Sequence, residues 1–233
     1  RPRSLAVLGA SSGRSAQGNQ ALANLRAAGF GGPISVVHRS AATVDGIDAV
    51  PAIEDLPRDL DVALVSLPAA SVVDALTRLE AIGCRSAVVP SGGLGPLDRL
   101  AIRELADRGA MAVHGPNSLG LLNLTDGVPL VFWSGWLTRE PPGNVALVAQ
   151  SGGAAVGVVK STERARFSKI IASGNEWGVT SADYLSWLAQ DSSTEAVGIV
   201  LESIADADRF ADAVSLLREA GTPLVVLKVG RSA

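Results

Sequence analysis

A chain of 233 residues can form one large domain or two small ones with buried cores, and its net charge of −3, with no basic block and no aromatic-basic stripe, excludes nucleic acid or an anionic membrane as its main partner. The single cysteine, Cys84, excludes an internal disulfide and suits a buried structural role, and the absence of metal-ligand spacing argues against a metal. No run of about 18 uncharged apolar residues and no signal-peptide plan is present, so the expectation is a soluble cytoplasmic protein.

The first strand is Ser4-Leu5-Ala6-Val7-Leu8, and it opens into Gly9-Ala10-Ser11-Ser12-Gly13-Arg14-Ser15-Ala16-Gln17-Gly18 before a helical pattern at Leu22, Leu25 and Ala28. Glycines let a backbone approach an anion closely, while hydroxyls and the free N–H groups of a helix start supply donors. Any strand-helix unit also needs a tight small-residue turn, so the turn alone leaves both readings open. The next strand, Ile34 to Val37, ends at His38-Arg39. NAD sites place an acidic residue near this strand end, whereas a basic pair suits an extra ribose phosphate, which both NADP and coenzyme A carry. Solvated surface charge is the plainer alternative.

Strands follow at Val62 to Ser66, closed by Leu67-Pro68, and at Ser86 to Pro90, which opens into Ser91-Gly92-Gly93-Leu94-Gly95. A further strand, Met111 to His114, runs into Gly115-Pro116-Asn117-Ser118-Leu119-Gly120. Helical patterns from Ser71 to Ile82 and at Leu100, Ile102 and Leu105 separate them, which predicts a parallel sheet wound by right-handed crossovers. The turns after Leu8, Val37, Val65, Val89 and His114 therefore converge on one edge, where such sheets bind ligands.

The stretch from Thr125 to Pro142 breaks the pattern with Asp126-Gly127, Pro129, Phe132, Trp133, Trp136 and Glu140-Pro141-Pro142-Gly143, and reads as a connection between domains. A second winding then begins at strand Asn144 to Ala149 and turn Gln150-Ser151-Gly152-Gly153, with a small-residue helix to about Arg164. Strand Phe167 to Ile171 ends in Ala172-Ser173-Gly174-Asn175-Glu176, and strand Ala196 to Leu201 reaches Glu202-Ser203. A last helix, about Asp206 to Ala220, precedes strand Leu224 to Lys228. Two glycine-bearing turns at helix starts suit a phosphoryl group, although glycines that merely ease helix packing give the same pattern. The predicted domains are 1–125, a linker at 126–142, and 143–233.

Two chemistries fail on residue type. Short-chain dehydrogenases need a tyrosine with a lysine four residues on; the only tyrosine is Tyr184, and position 188 is leucine. Ser151 lacks the Gly-x-Ser-x-Gly elbow of a serine hydrolase, and neither His38 nor His114 has an obvious orienting partner.

The ordered set Gly9-Ala10-Ser11, Val65-Ser66-Leu67-Pro68-Ala69, Gly115-Pro116-Asn117-Ser118-Leu119-Gly120, Gln150-Ser151-Gly152-Gly153, Ser173-Gly174-Asn175-Glu176, Leu201-Glu202 and Leu227-Lys228-Val229-Gly230-Arg231-Ser232 resembles the NDP-forming acyl-CoA synthetases over nearly the whole chain. The resemblance implies an α/β protein with a Rossmann-like CoA-binding domain followed by a flavodoxin-like ligase domain. It implies that a carboxylic acid is joined to CoA at the expense of ATP, through an acyl phosphate and a phosphorylated histidine. Gly9, Ser11, Ser12, Gly13, Arg14, Ser15 and Gln17, with His38 and Arg39, would bind the phosphorylated ADP part of CoA. Ser66, Leu67, Pro68, Ser91, Gly92 and Gly93 would line its path, with Asn117 and Ser118 near the thiol. Gln150, Ser151, Gly152, Gly153, Ser173, Gly174 and Asn175 would hold the phosphoryl group, and Glu202 would hydrogen-bond the phosphohistidine.

Position 118 is serine where many relatives have cysteine, and neither histidine matches the family's phosphohistidine loop. The chain therefore reads as a piece of something longer. The nucleotide, with its magnesium, would be handled by an ATP-grasp domain or β subunit outside it. A homo-oligomer is compatible with the sequence but not indicated by it. A non-catalytic CoA-binding regulatory module, fused to or partnering an acyltransferase, is the alternative reading, and an NADP-binding domain is a third.

Overall fold

The computed structural model describes residues 2–133, 141–161 and 165–230. Trp136, Glu140, Arg164 and the terminal Arg231-Ser232 lie outside the described residues.

The first sheet is built on β1 (Leu5–Leu8), whose residues are all buried because it lies at the centre with neighbours on both sides. It pairs in parallel with β2 (Ile34–Val37) and β5 (Val62–Val65), and β6 (Ser86–Val88) and β7 (Ala112–His114) extend that side. Strands buried on both faces read as apolar runs rather than alternations, which is why they were legible. The other side carries two strands that the sequence reading passed over, β3 (Thr43–Val44) and β4 (Ile47–Val50). Asp45 and Gly46, at φ of 49° and 73°, form the tight turn between them, the geometry for which Asp-Gly is favoured.

Helices cover both faces. α1 (Gln17–Ala27) packs Leu22 and Leu25 against Leu5, Val7 and Val36. α2 (Val72–Ala81) and α3 (Pro96–Asp107) bury Leu76, Leu79, Ile102 and Leu105 against Ala6, Leu8, Ala63 and Val65 on the opposite face. α3 begins as its sequence dictates: Pro96 takes the first helical position and Asp98 accepts a 2.8 Å hydrogen bond from the Gly95 N–H.

In the second sheet, β10 (Val145–Ala149) is flanked by β11 (Phe167–Ala172) and β12 (Ala196–Leu201), with β13 (Leu224–Lys228) beyond β12, all parallel. α4 (Gly152–Ser161) covers one face; α5 (Ser181–Leu188) and α6 (Ala207–Glu219) cover the other. This winding, second strand to one side and later strands to the other, is the flavodoxin-like order.

The region between the windings contributes two strands to the second sheet. β8 (Gly120–Asn123) pairs antiparallel with β11, and β9 (Val128–Val131) pairs antiparallel with β8. The end of the expected first domain and the start of the expected linker are thus two strands of the second sheet. Their side chains also serve the first domain, because Val128 and Leu130 are buried with Leu22, Leu25 and Leu64, and Asn24 of α1 donates to the Val131 carbonyl at 2.9 Å. Pro129 is tolerated in β9 because that strand is the sheet's edge.

Candidate functional site

Beyond the carboxyl ends of β1 and β5 lies a cleft of about 460 Å³ lined by Gly9, Ala10, Ser11, Arg14, Ala16, Gln17, His38, Ser66, Leu67 and Pro68. Its floor requires glycine. At φ of 92° Gly9 lies so close to Ser66 that a Cβ would sit 1.9 Å from the Ser66 carbonyl oxygen. Gly18 lets α1 start directly against the turn, since a Cβ there would meet the Ala10 nitrogen at 2.5 Å. Asn19 holds the turn open by accepting from the Ser11 and Ala16 N–H groups at 2.9 and 3.2 Å and donating to the Ser11 carbonyl at 2.9 Å. Asn19 was not among the sequence candidates, although Asn three residues after a helix start is a capping signal.

Arg14 and His38 line the basic side of the cleft, whereas Arg39 of the expected pair His38-Arg39 does not. Arg39 is exposed and outside the cleft lining. The Ala41 N–H donates to His38 Nδ1 at 3.0 Å, which leaves the proton of the neutral ring on Nε2, 3.4 Å from Ser12 Oγ. Ser66 Oγ donates to Gln17 Oε1 at 2.9 Å, joining the two walls. Ser91 ties loops together by donating to the Leu67 carbonyl at 2.5 Å, so its hydroxyl braces the path instead of lining it. Gly13 and Gly93 have open space around them.

At the carboxyl edge of the second sheet a cleft of about 490 Å³ is lined by Arg99, Arg103, Gln150, Gly174, Asn175, Glu176, Trp177, Glu202, Ser203 and Ala205. Gln150 is used up internally. Its Oε1 accepts from the Glu202 and Ser203 N–H groups at 2.7 and 2.9 Å, and its Nε2 donates to Glu176 Oε2 at 3.0 Å and to the Ser203 carbonyl at 2.8 Å. It therefore positions the Glu202 loop. Ser173 is likewise committed, donating to Glu176 Oε1 at 2.6 Å, and Ser181 donates to the same oxygen. Ser151 caps α4, accepting from the Ala154 N–H at 3.2 Å, and Ser151, Gly152 and Gly153 are not part of the cleft lining.

The two domains are joined beside the second cleft. The loop after β11 hydrogen-bonds to the loop after β7, with Asn175 N donating to the Pro116 carbonyl at 2.9 Å, Trp177 N to Gly115 at 3.0 Å and Val179 N to Val113 at 2.8 Å. Gly174, at φ of 67°, permits this approach, because a Cβ would lie 2.4 Å from the Pro116 oxygen. Asn117 donates to Asn175 Oδ1 at 3.3 Å, and a Cβ on Gly92 would meet Asn117 Oδ1 at 2.9 Å. Gly92, Asn117 and Asn175 thus lie together where the two domains meet.

Ser118, expected beside the thiol, is instead buried. Its hydroxyl donates to the Ala172 carbonyl at 2.8 Å and lies 2.6 Å from His114 Nε2, while His114 Nδ1 accepts from the Tyr184 hydroxyl. Burial holds the imidazole neutral and pulls its pKa down to about 4; the Tyr184 hydroxyl is pushed up by burial and then by the charges of Glu176 and Asp183. A third hollow, about 440 Å³ and largely apolar, lies between the two sheets near Val62, Leu121, Ile171 and Trp187.

Residues 3–123 match the CoA binding domain model, which covers more than half of the chain. The chain belongs to the CoA-binding domain family. Residues 142–233 match the succinyl-CoA ligase like flavodoxin domain, so the resemblance to the NDP-forming acyl-CoA synthetases holds along both halves of the chain. A trans-feruloyl-CoA synthase from an unknown prokaryotic organism is 31% identical over 242 residues, matching 100% of the chain and 34% of that protein. The alpha subunit of acetate–CoA ligase [ADP-forming] II from Pyrococcus furiosus is 29% identical, matching 99% of the chain and 51% of the subunit. The dinucleotide forming acetyl-coenzyme A synthetase 1 of Ca. Korarchaeum cryptofilum, solved with phosphate and ADP, superposes with a TM-score of 0.90 at 29% identity, over 99% of the chain and 51% of that one. The chain therefore spans about a third to a half of the length of these relatives.

Proposed function

We propose that this chain is the CoA-binding and phosphoryl-handling portion of an ADP-forming acid–CoA ligase. The observation that carries the reading is the weld between the two domains: Asn175 and Trp177, which line the second cleft, are hydrogen-bonded to Pro116 and Gly115 of the domain that carries the first cleft. A carrier whose phosphates sit in the first cleft can lay its reactive end toward the second.

The residues present suit CoA. The Gly9 turn and the start of α1 offer backbone donors at a helix N-terminus to the pyrophosphate, and Arg14 and the His38 Nε2–H face the ribose phosphate. Leu67, Pro68, Gly92 and Gly93 are small or apolar enough for the pantetheine arm, with Asn117 and Asn175 at its end. CoA supplies the thiol that displaces phosphate from an acyl phosphate. Gly174 and Asn175 line the space for that phosphate, and Gln150 holds Glu202 at its rim, where it would orient the imidazole of a phosphohistidine supplied from outside the described residues. ATP and its magnesium belong to an ATP-grasp domain or subunit in this scheme. The reacting partner is a carboxylic acid.

Calorimetry with CoA and dephospho-CoA tests the reading. Arg14→Ala and loss of the ribose phosphate are each expected to weaken binding by ~1.5 to 3 kcal/mol, the scale of a charge-assisted hydrogen bond, while Arg39→Ala changes little. Tight NADPH binding without CoA binding would overturn it.

A further inference from the structure

The second cleft has a wall contributed by the first domain. Arg99 and Arg103 of α3 line the same cavity as Gly174, Asn175 and Glu202. Residues four apart on a helix project from one face, so the two guanidiniums act on one volume. Other arginines nearby are paired: Arg108 with Glu80 at 2.6 Å, and Arg78 with Glu54 at 2.5 Å. Among the described residues, neither Arg99 nor Arg103 forms an ion pair, even though two carboxylates line their cavity. Glu176 already accepts from Ser173, Ser181 and Gln150, and Glu202 has its backbone pinned by Gln150. The cavity thus holds two uncommitted cations opposite strand-end loops, which favours a tetrahedral oxyanion that can face both walls at once.

We infer that Arg99 and Arg103 form the cationic wall of the phosphoryl site, so that this site is complete only when the two domains are docked. The inference rests on the reading of the second cleft as that site. Its arginines would offset the repulsion between Glu202 and a phosphate dianion and hold the leaving phosphate against the Gly174-Asn175 loop.

The test is phosphorus NMR relaxation of inorganic phosphate with the intact chain in saturating CoA, which occupies the first cleft. The R99Q/R103Q double variant is compared with the R58Q/R218Q double variant, an exposed change of equal charge outside the cavity. The expected result is phosphate binding weakened about tenfold or more in R99Q/R103Q, with phosphate binding of R58Q/R218Q and the CoA affinity of both unchanged. Equal phosphate binding in wild type and R99Q/R103Q, or CoA binding without phosphate binding, overturns this inference and leaves the CoA reading standing. Failure of wild type to bind CoA overturns both.

Discussion

At the level of single residues the site depends on contacts that tolerate no added atom. Gly9→Ala would place a methyl group 1.9 Å from the Ser66 carbonyl at a positive φ, so the turn must move. The expected cost is about 2 kcal/mol or more, seen as a lower urea midpoint together with lost CoA affinity. His114 gives a separate, pH-dependent signature. Its folded pKa near 4 lies below the unfolded value near 6.5, so the unfolded chain takes up the proton first and stability falls as pH drops through that window, by up to about 3 kcal/mol. Urea titrations at pH 7 and pH 5 should show the difference, and His114→Gln should flatten it. The depressed carboxyls Asp61 and Asp191 act in the same direction only at lower pH, near and below the ordinary aspartate value of 3.8. At this scale the sequence was only half legible. Spacing reveals that Gln150, Ser118 and Ser173 follow strands at the ligand edge, but not that neighbouring donors and acceptors consume their side chains. Arg14 and Arg39 are equally basic in sequence, and only the path of the turn decides which one faces the cleft.

At the level of elements, Gln150 shows how one side chain can shape a loop. Gln150→Leu removes partners from two N–H groups, one carbonyl and the buried Glu176 carboxylate, and should cost about 3 kcal/mol. Faster hydrogen exchange at Glu202 and Ser203, with β10 still protected, would locate the damage; unchanged exchange would contradict the assignment. The central strands and the helices were readable because apolar runs and helix-start chemistry are local properties. Two hairpins were not. Thr43 to Val50 is short and half-exposed with its signal confined to Asp45-Gly46, and β8–β9 is interrupted by Asp126-Gly127 and carries Pro129, the features of a connection. Its membership in the second sheet comes from pairing with β11, some fifty residues away, which no local pattern encodes.

At the level of the molecule, Trp177 packs against the first domain's core while β9 buries Val128 and Leu130 beneath α1. The two windings should therefore unfold together, with far-UV circular dichroism and tryptophan fluorescence superimposing along a denaturant titration. Gly174→Val, which drives a branched side chain into the Pro116 carbonyl, should lower the midpoint and pull the two signals apart. Separate transitions in the unaltered chain would contradict the weld.

A hairpin stitched by its backbone to one sheet and by its side chains to the other also acts as a spacer of set length. Under the proposed function, the hairpin would set the span between the cleft read as holding the phosphates of CoA and the cleft read as the phosphoryl site. In that scheme the carrier would bring the flexibility itself, and the burden of travel would fall on its long tether instead of on the protein.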